Sequence, residues 1–355
     1  MGLRGTVKHL TQRALADALY YTGALGVYRR RVMRSSAVVL VYHRIVDEPP
    51  DLLDYSPSGM CVRRDAFDAQ MAYLSRHYTA IPLSELAQRV SDQRTLDDRL
   101  CAVTFDDGWR DNYTHAFPIL KKHNVPATIF LATNFVDGGS WFWEERLKYV
   151  LAHVMQRHLD RAIAASELSA VSEVLARLEL SAILAMGLPR FRQFLSAHVT
   201  TLRAKPEAER ARVMDALEGL IKLESLREPR RFMNWDEIRE MEAAGMHFGA
   251  HTVSHVNLER SEQAAAEREI AGSKSRTEAS LANAAPVFAY PFGRSTPAVR
   301  AFVQKVGFRG AFTIVPGLVR RGADPMQLNR IDINQRVSVD LPFFACRALN
   351  FMEMY

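Results

Sequence analysis

The chain has 355 residues, 48% of them hydrophobic and 24% charged, which is enough to bury a full-sized core and unlike a disordered or fibrous sequence. Its net charge of +6 suggests a nucleic-acid partner until it is located: residues 1–36 hold Arg4, Lys8, Arg13, Arg29, Arg30, Arg31 and Arg34 against the single acid Asp17. The excess is confined to the front, no recognition motif accompanies it, and nucleic-acid binding is not expected.

Cys61, Cys101 and Cys346 are odd in number, widely spaced and form no C-x-x-C pair, so a disulfide framework and a cysteine zinc knuckle are both excluded and a reducing compartment fits. In the front segment, Leu15, Leu19, Tyr20, Leu25 and Tyr28 stand between the charges. Residues 1–36 therefore read either as a basic amphipathic segment on an anionic membrane surface or as a solvated helix packed on the domain that follows. Asp17 and two glycines interrupt the stretch from Ala14 to Tyr28, which does not read as a secretory signal. No segment reaches the roughly 20 apolar residues that cross a bilayer. The expected location is cytoplasmic, peripheral at the inner face of the membrane under the first reading.

From residue 37 onward, short apolar and β-branched runs alternate with helical stretches, the pattern of a parallel sheet with crossover helices. The strand runs are 37–43, 100–107, 127–135, 246–252, 286–293, 308–314 and 328–334, and helices are predicted over 64–76, 84–91, 112–123, 235–244, 261–282 and 296–306. Between Phe142 and about Arg227 the pattern turns to Leu-, Ala- and Arg-rich helix with no convincing strand. This gives a basic segment (1–36), a first barrel part (37–141), a helical insertion (142–227), a second barrel part (228–340) and a C-terminal tail (341–355).

Polar residues interrupt the strand runs at their ends. His43 closes the first, Asp106 and Asp107 close the second, and His251 closes the fourth, with His255 four residues on. In a parallel β/α barrel the C-terminal strand ends gather on one face, where active sites are built. Two adjacent carboxylates there require a cation, and Asp107, His251 and His255 supply a two-histidine, one-carboxylate set for a divalent metal with positions left open. Asp106 is then free to act as general base. Either motif alone is weak, since Asp-Asp-Gly is common in turns and H-x-x-x-H arises by chance; together, in order and at strand ends, they are specific.

These residues resemble the polysaccharide deacetylases of carbohydrate esterase family 4. The T-F-D-D-G motif stands as Thr104, Phe105, Asp106, Asp107 and Gly108, and H-[ST]-x-x-H as His251, Thr252, Val253, Ser254 and His255. The resemblance implies a distorted β/α barrel, Asp106 as catalytic base, and metal binding by Asp107, His251 and His255, with zinc expected on ligand type. It covers roughly 37–140 and 230–335.

Two family features are missing. The third motif's arginine position is Ala289 in Phe288-Ala289-Tyr290-Pro291-Phe292-Gly293, and no histidine follows His255 to supply the late L-x-H motif. The opening Val41-Tyr42-His43-Arg44 and the F-A-Y-P-F-G string look instead like the branch of exopolysaccharide deacetylases with circularly permuted strands, which implies His43 as the general acid. Arg330 resembles an arginine near the end of such domains and would replace the missing partner of Asp106, with Arg294 as competitor. Tyr290, Pro291 and Phe292 are expected to meet substrate, a backbone N–H near Tyr290 helping to hold the oxyanion. The expected substrate is an N-acetylated glycan or a lipid-linked sugar. Two alternatives remain open: deacylation or deformylation of a lipid-linked sugar, and a carbohydrate-binding barrel without turnover.

Overall fold

A computed structural model describes residues 3–47, 59–97, 99–138, 141–159, 199–202, 205, 209–215, 230–335 and 340–351. The chain divides into two compact units, the first made of Met1–Pro49, Pro57–Ser140 and Arg230–Tyr355, the second of Pro50–Ser56 and Trp141–Pro229. In chain order the first unit runs α1 (Leu3–Tyr21), α2 (Ala24–Val32), β1 (Ser36–Tyr42), β2 (Arg44–Val46), β3 (Cys61–Arg63), α3 (Arg64–His77), β4 (Thr79–Ala80), α4 (Leu83–Ser91) and β5 (Leu100–Phe105). A wide π-type turn (Asn112–Ala116) then leads into α5 (Phe117–His123) and β6 (Ala127–Leu131). After α6 (Trp143–Leu159) of the second unit come α7 (Trp235–Ala243), β7 (His247–Ala250), α8 (Gln263–Ser280), β8 (Val287–Ala289), α9 (Pro297–Lys305), β9 (Gly310–Phe312), β10 (Val319–Arg320), β11 (Ile331–Asp332) and α10 (Leu341–Ala348).

Strands β1, β5, β6, β7, β8 and β9 lie side by side and parallel. The runs SAVVLVY, LCAVTF and ATIFL are buried along their whole length, as strands covered on both faces must be, and this is why they read as unbroken apolar runs. The sheet curls until its ends meet at one segment. Leu328 bridges Phe312 at the end of β9, and Ile331 and Asp332 pair with Leu40 and Val41 of β1. This seam completes the distorted β/α barrel.

Alternate residues of each strand serve the two faces. Val38, Leu40, Val103, Ile129 and Phe248 pack outward against side chains of α3, α5 and α7, while Ala37, Val39, Ala102, Phe130, Ala289 and Phe312 form a second core together with α4. Gly249 is required there, because a Cβ would lie 2.7 Å from the Val287 carbonyl and 2.8 Å from the Phe130 ring. Helix α4 packs across the beginnings of the strands, where a side chain at Gly310 would meet Ala87 at 2.6 Å. That leaves the C-terminal strand ends for chemistry.

Asn234 and Glu237 form a reciprocal capping box that starts α7. The stretch expected to be a C-terminal tail is a core element up to Ala348: α10, capped by Asp340, buries Phe343, Phe344 and Cys346. Its run L-P-F-F-A-C-R-A is too apolar to be left in water. Ala16 of α1, Leu25 of α2 and Met33 join the same core, and Arg13 pairs with Asp340 at 3.0 Å. The front segment is therefore packed on the first unit. No helix among the described residues is long and apolar enough to cross a membrane.

In the second unit, the Trp141 ring stands 4.8 Å from that of Tyr149, and Lys148 pairs with Glu145 inside α6. Most of the expected helical insertion, 142–227, lies outside the described residues.

Candidate active site

The turn after β5 brings the first candidate ligand, Asp107, into place. Asp107 has φ 78° and Gly108 φ 80°, so the chain turns through left-handed conformations and carries the Asp107 carboxylate toward the end of β7. There, Asp107 Oδ1 stands 3.5 Å from His251 Nε2 and 3.4 Å from His255 Nε2. Donor atoms of these three side chains all lie within 4.8 Å of one another, a spacing that a single cation can satisfy.

Two of these three side chains have a hydrogen-bond partner behind them. His251 Nδ1 is 2.7 Å from the Ala289 carbonyl, which can only accept, so Nδ1 carries a proton and Nε2 is the atom turned to Asp107. The Trp109 indole donates to Asp107 Oδ2 at 2.9 Å, leaving Oδ1 for the shared site. Burial alone would raise the Asp107 pKa, but the His251 hydrogen bond and the neighbouring imidazoles outweigh it and the carboxyl is driven down. Burial lowers the His255 imidazole to about 4, against the pull of the Asp107 charge, so it is a neutral donor near pH 7. Burial would lower His251, but the Asp107 hydrogen bond and the two aspartate charges outweigh it and raise the imidazole, so a cation would take the place of its Nε2 proton; one carboxylate and two imidazoles fit a divalent metal.

Asp106 follows the inward parity of Ala102 and Thr104 and is 2% exposed. Arg330, fully buried on the closing segment, reaches it with two parallel bonds of 2.7 Å, Nη1 to Oδ1 and Nη2 to Oδ2. The guanidinium is itself fixed, donating from Nε to the Thr313 carbonyl at 2.8 Å and from Nη1 to Thr104 Oγ1 at 3.2 Å. Burial would raise the Asp106 pKa, and the Arg330 charge and bonds hold it lower instead. Arg294, the competitor, is exposed and pairs with Glu259 at 3.1 Å.

His43 follows β1 at the same end of the barrel and is near enough to Asp106, Asp107, His255 and Asp332 to act electrostatically on each. Its buried Nδ1 has no hydrogen-bond partner among the described residues. Its backbone is tied down, since Asn112 in the wide turn before α5 donates to the His43 carbonyl at 2.8 Å. A π-type turn of this kind often marks a functional position.

The F-A-Y-P-F-G string needs correction. Tyr290 does not present its ring to the site: it is fully buried beside Phe288, and its hydroxyl donates to the Met326 carbonyl at 2.9 Å. Its backbone N–H is also committed, donating to the Phe312 carbonyl at 3.0 Å, so it is not the oxyanion donor. The alternation of a strand turns Ala289 inward and Tyr290 outward. Pro291 is buried, and Phe292, at φ 59°, sets its ring edge-on to His255 with centroids 4.9 Å apart.

Sequence reasoning missed Asp332, Trp109 and Glu269. Asp332 shares the strand parity of Arg330, and burial raises its pKa despite the nearby His43. The period-2 polar pattern Arg330, Asp332, Asn334 was the available signal.

Residues 93–160 and 210–311 match the family described as polysaccharide deacetylase. A poly-beta-1,6-N-acetyl-D-glucosamine N-deacetylase of Staphylococcus epidermidis is 30% identical over 115 residues, which are 30% of this chain and 40% of that protein. The chain thus spans less than half the length of that relative. Among solved structures, the Streptococcus pyogenes deacetylase PplD, in complex with acetate, superimposes with a TM-score of 0.58 at 19% identity over 90% of this chain and 100% of that one. IcaB from Ammonifex degensii gives 0.55 at 20% identity over 89% and 97%. Both share the barrel.

Proposed function

We propose, from the match of residues 93–160 and 210–311 to the polysaccharide deacetylase family, that the chain is a metal-dependent hydrolase that removes the N-acetyl group of an amino sugar in a glycan and releases acetate. The observation that carries this reading is the juxtaposition, at one barrel mouth, of an Arg330-clamped Asp106 and the Asp107, His251, His255 cluster. Those three residues would hold the metal, and two imidazoles with one carboxylate favour zinc among the first-row ions. When bound, such an ion supplies Lewis acidity to the acetyl carbonyl and acidifies water.

The chain's own groups move the protons. Asp106, kept ionised by Arg330, accepts the proton of the attacking water, and the bidentate clamp fixes the direction of its lone pairs. His43 gives a proton to the departing sugar nitrogen, with Asp332 as the carboxylate beside it. A polymer of N-acetylglucosamine is the substrate class favoured by the Staphylococcus epidermidis relative. The test is acetate release from N-acetylglucosamine oligomers by metal-stripped and zinc-restored protein. Zinc-dependent release is expected; sugar binding with no release under either condition would replace this reading with that of a binding barrel.

The front segment favours a lipid-linked form of that substrate. On α2 the outward positions hold Val27, Arg30 and Arg31, and Arg34 follows on the same side, all exposed. None of these arginines meets a carboxylate among the described residues. We propose that this face rests on the anionic inner surface of a membrane, each arginine contributing about 1 kcal/mol. Replacing Arg30, Arg31 and Arg34 with Glu is expected to abolish sedimentation with acidic liposomes at low salt, and unchanged binding, or no binding by the wild type, would overturn this face as a membrane contact.

A further inference from the structure

We propose that Glu269 on α8 is a positioning residue for the metal site, acting through the loop that carries His255; the idea rests on the metal-dependent reading above. His255 is not on a strand. It ends the loop 252–255, which leaves β7 through Thr252 at φ 64° and reaches His255 at φ 56°. Both are conformations that side-chain-bearing residues seldom adopt, and a β-branched threonine less than most, so the loop does not hold this shape by local preference.

Something must impose the shape, and the contacts divide the task. From one side, Thr133 and Asn134 donate their backbone N–H groups to the Thr252 and Val253 carbonyls at 3.2 and 2.8 Å. From the other, a single carboxylate gathers the loop's donors. Glu269 Oε2 accepts the Val253 and Ser254 N–H groups at 2.9 and 2.8 Å, and Oε1 accepts the Ser254 hydroxyl at 2.5 Å. Three donors converging on one ionised group form a charge-assisted set that fixes both backbone and side chain. Gly272, one turn further along α8, lets the helix approach, since a Cβ there would stand 3.0 Å from the Val253 side chain.

Glu269 is thus to His255 what the Ala289 carbonyl is to His251 and Trp109 is to Asp107. Those two act directly on the ligand side chain. Glu269 acts on the backbone that aims it.

The experiment titrates Zn²⁺ into metal-free wild type, Glu269→Gln, Glu269→Ala and Ser254→Ala, using a chromophoric chelator as competitor, and records the melting temperature of each metal-free protein. Loss of a supporting partner of a ligand typically costs about 10–100-fold in metal affinity. Glu269→Ala is expected in that range, Glu269→Gln and Ser254→Ala below it, with metal-free melting close to wild type. In the Co²⁺-loaded proteins the visible ligand-field bands should broaden in the same order. If Glu269→Ala does not fold, the Gln and Ser254→Ala variants carry the test. Wild-type affinity in all folded variants overturns the proposal, and so does a loss of affinity that only tracks a fall in metal-free melting temperature. Failure of the wild type itself to bind Zn²⁺ would overturn the metal-dependent reading, a separate outcome.

Discussion

The two halves of the site are built differently. The proposed metal side, Asp107, His251 and His255, comes from two short motifs, and two of its three residues sit at positive φ on turns. The proposed base side, Asp106 with Arg330 and Thr104, lies inside the barrel, with Thr104 on β5, Asp106 directly after it and Arg330 directly before β11, and its two charges are separated by 224 positions in sequence. The lesson is that ligand direction here is set by local turns, each with its own hydrogen-bond partner, whereas base direction is set by barrel closure.

The largest effects should separate the halves completely. His255→Ala removes one of three ligands, so stoichiometric metal and all deacetylation should be lost together, checked by metal analysis after gel filtration. Full retention of metal would show that His255 lies outside the centre. Asp106→Asn should keep the metal and lose roughly 10²–10⁴-fold in kcat, the usual contribution of general acid–base catalysis. Loss of metal in that variant would mean that the two halves are one.

Next in size is the clamp. Arg330→Met strands a buried carboxylate, which is expected to destabilise the protein by about 3–5 kcal/mol in a urea titration. Adding Asp106→Asn to it should return much of that stability, because the charge and its partner then leave together. Simple additivity of the two substitutions would show that the 2.7 Å contacts contribute little. The smallest effect is on the metal side: Trp109→Phe keeps the ring stacked on Phe232 at 4.7 Å but removes the donor to Asp107. Metal affinity should fall about tenfold, with kcat at saturating metal unchanged, and a kcat defect instead would place Trp109 nearer the base.

The same contrast decides what could be read from the sequence. The strands were legible because burial on both faces leaves runs such as Ala37 to Tyr42 uninterrupted by polar residues, and the metal side was legible because its ligands fall in two compact strings. Arg330 was reached only through resemblance, since nothing local ties it to Asp106. Tyr290 was placed on the wrong side because a strand of three residues gives no parity signal, so its neighbour Ala289 supplies the contact, through a carbonyl that every residue has. Glu269 was invisible, lying in Ala-Glu-Arg-Glu-Ile, where a carboxylate reads as one more solvated helix residue. Helix α10 had a signal, the paired Phe343 and Phe344, that was passed over.

The seam has a consequence in time as well as in space. The first strand of the barrel leaves the ribosome about 290 residues ahead of the segment that pairs with it, Leu40 being partnered by Ile331. Contacts so distant in sequence form slowly, and domains begin to fold while synthesis continues. Until residue 330 has been made, the Asp106 carboxylate has no guanidinium to face. Completion of the barrel and the pairing of Asp106 with Arg330 therefore come together, so that a chain in which the seam has not closed leaves this carboxylate without its partner.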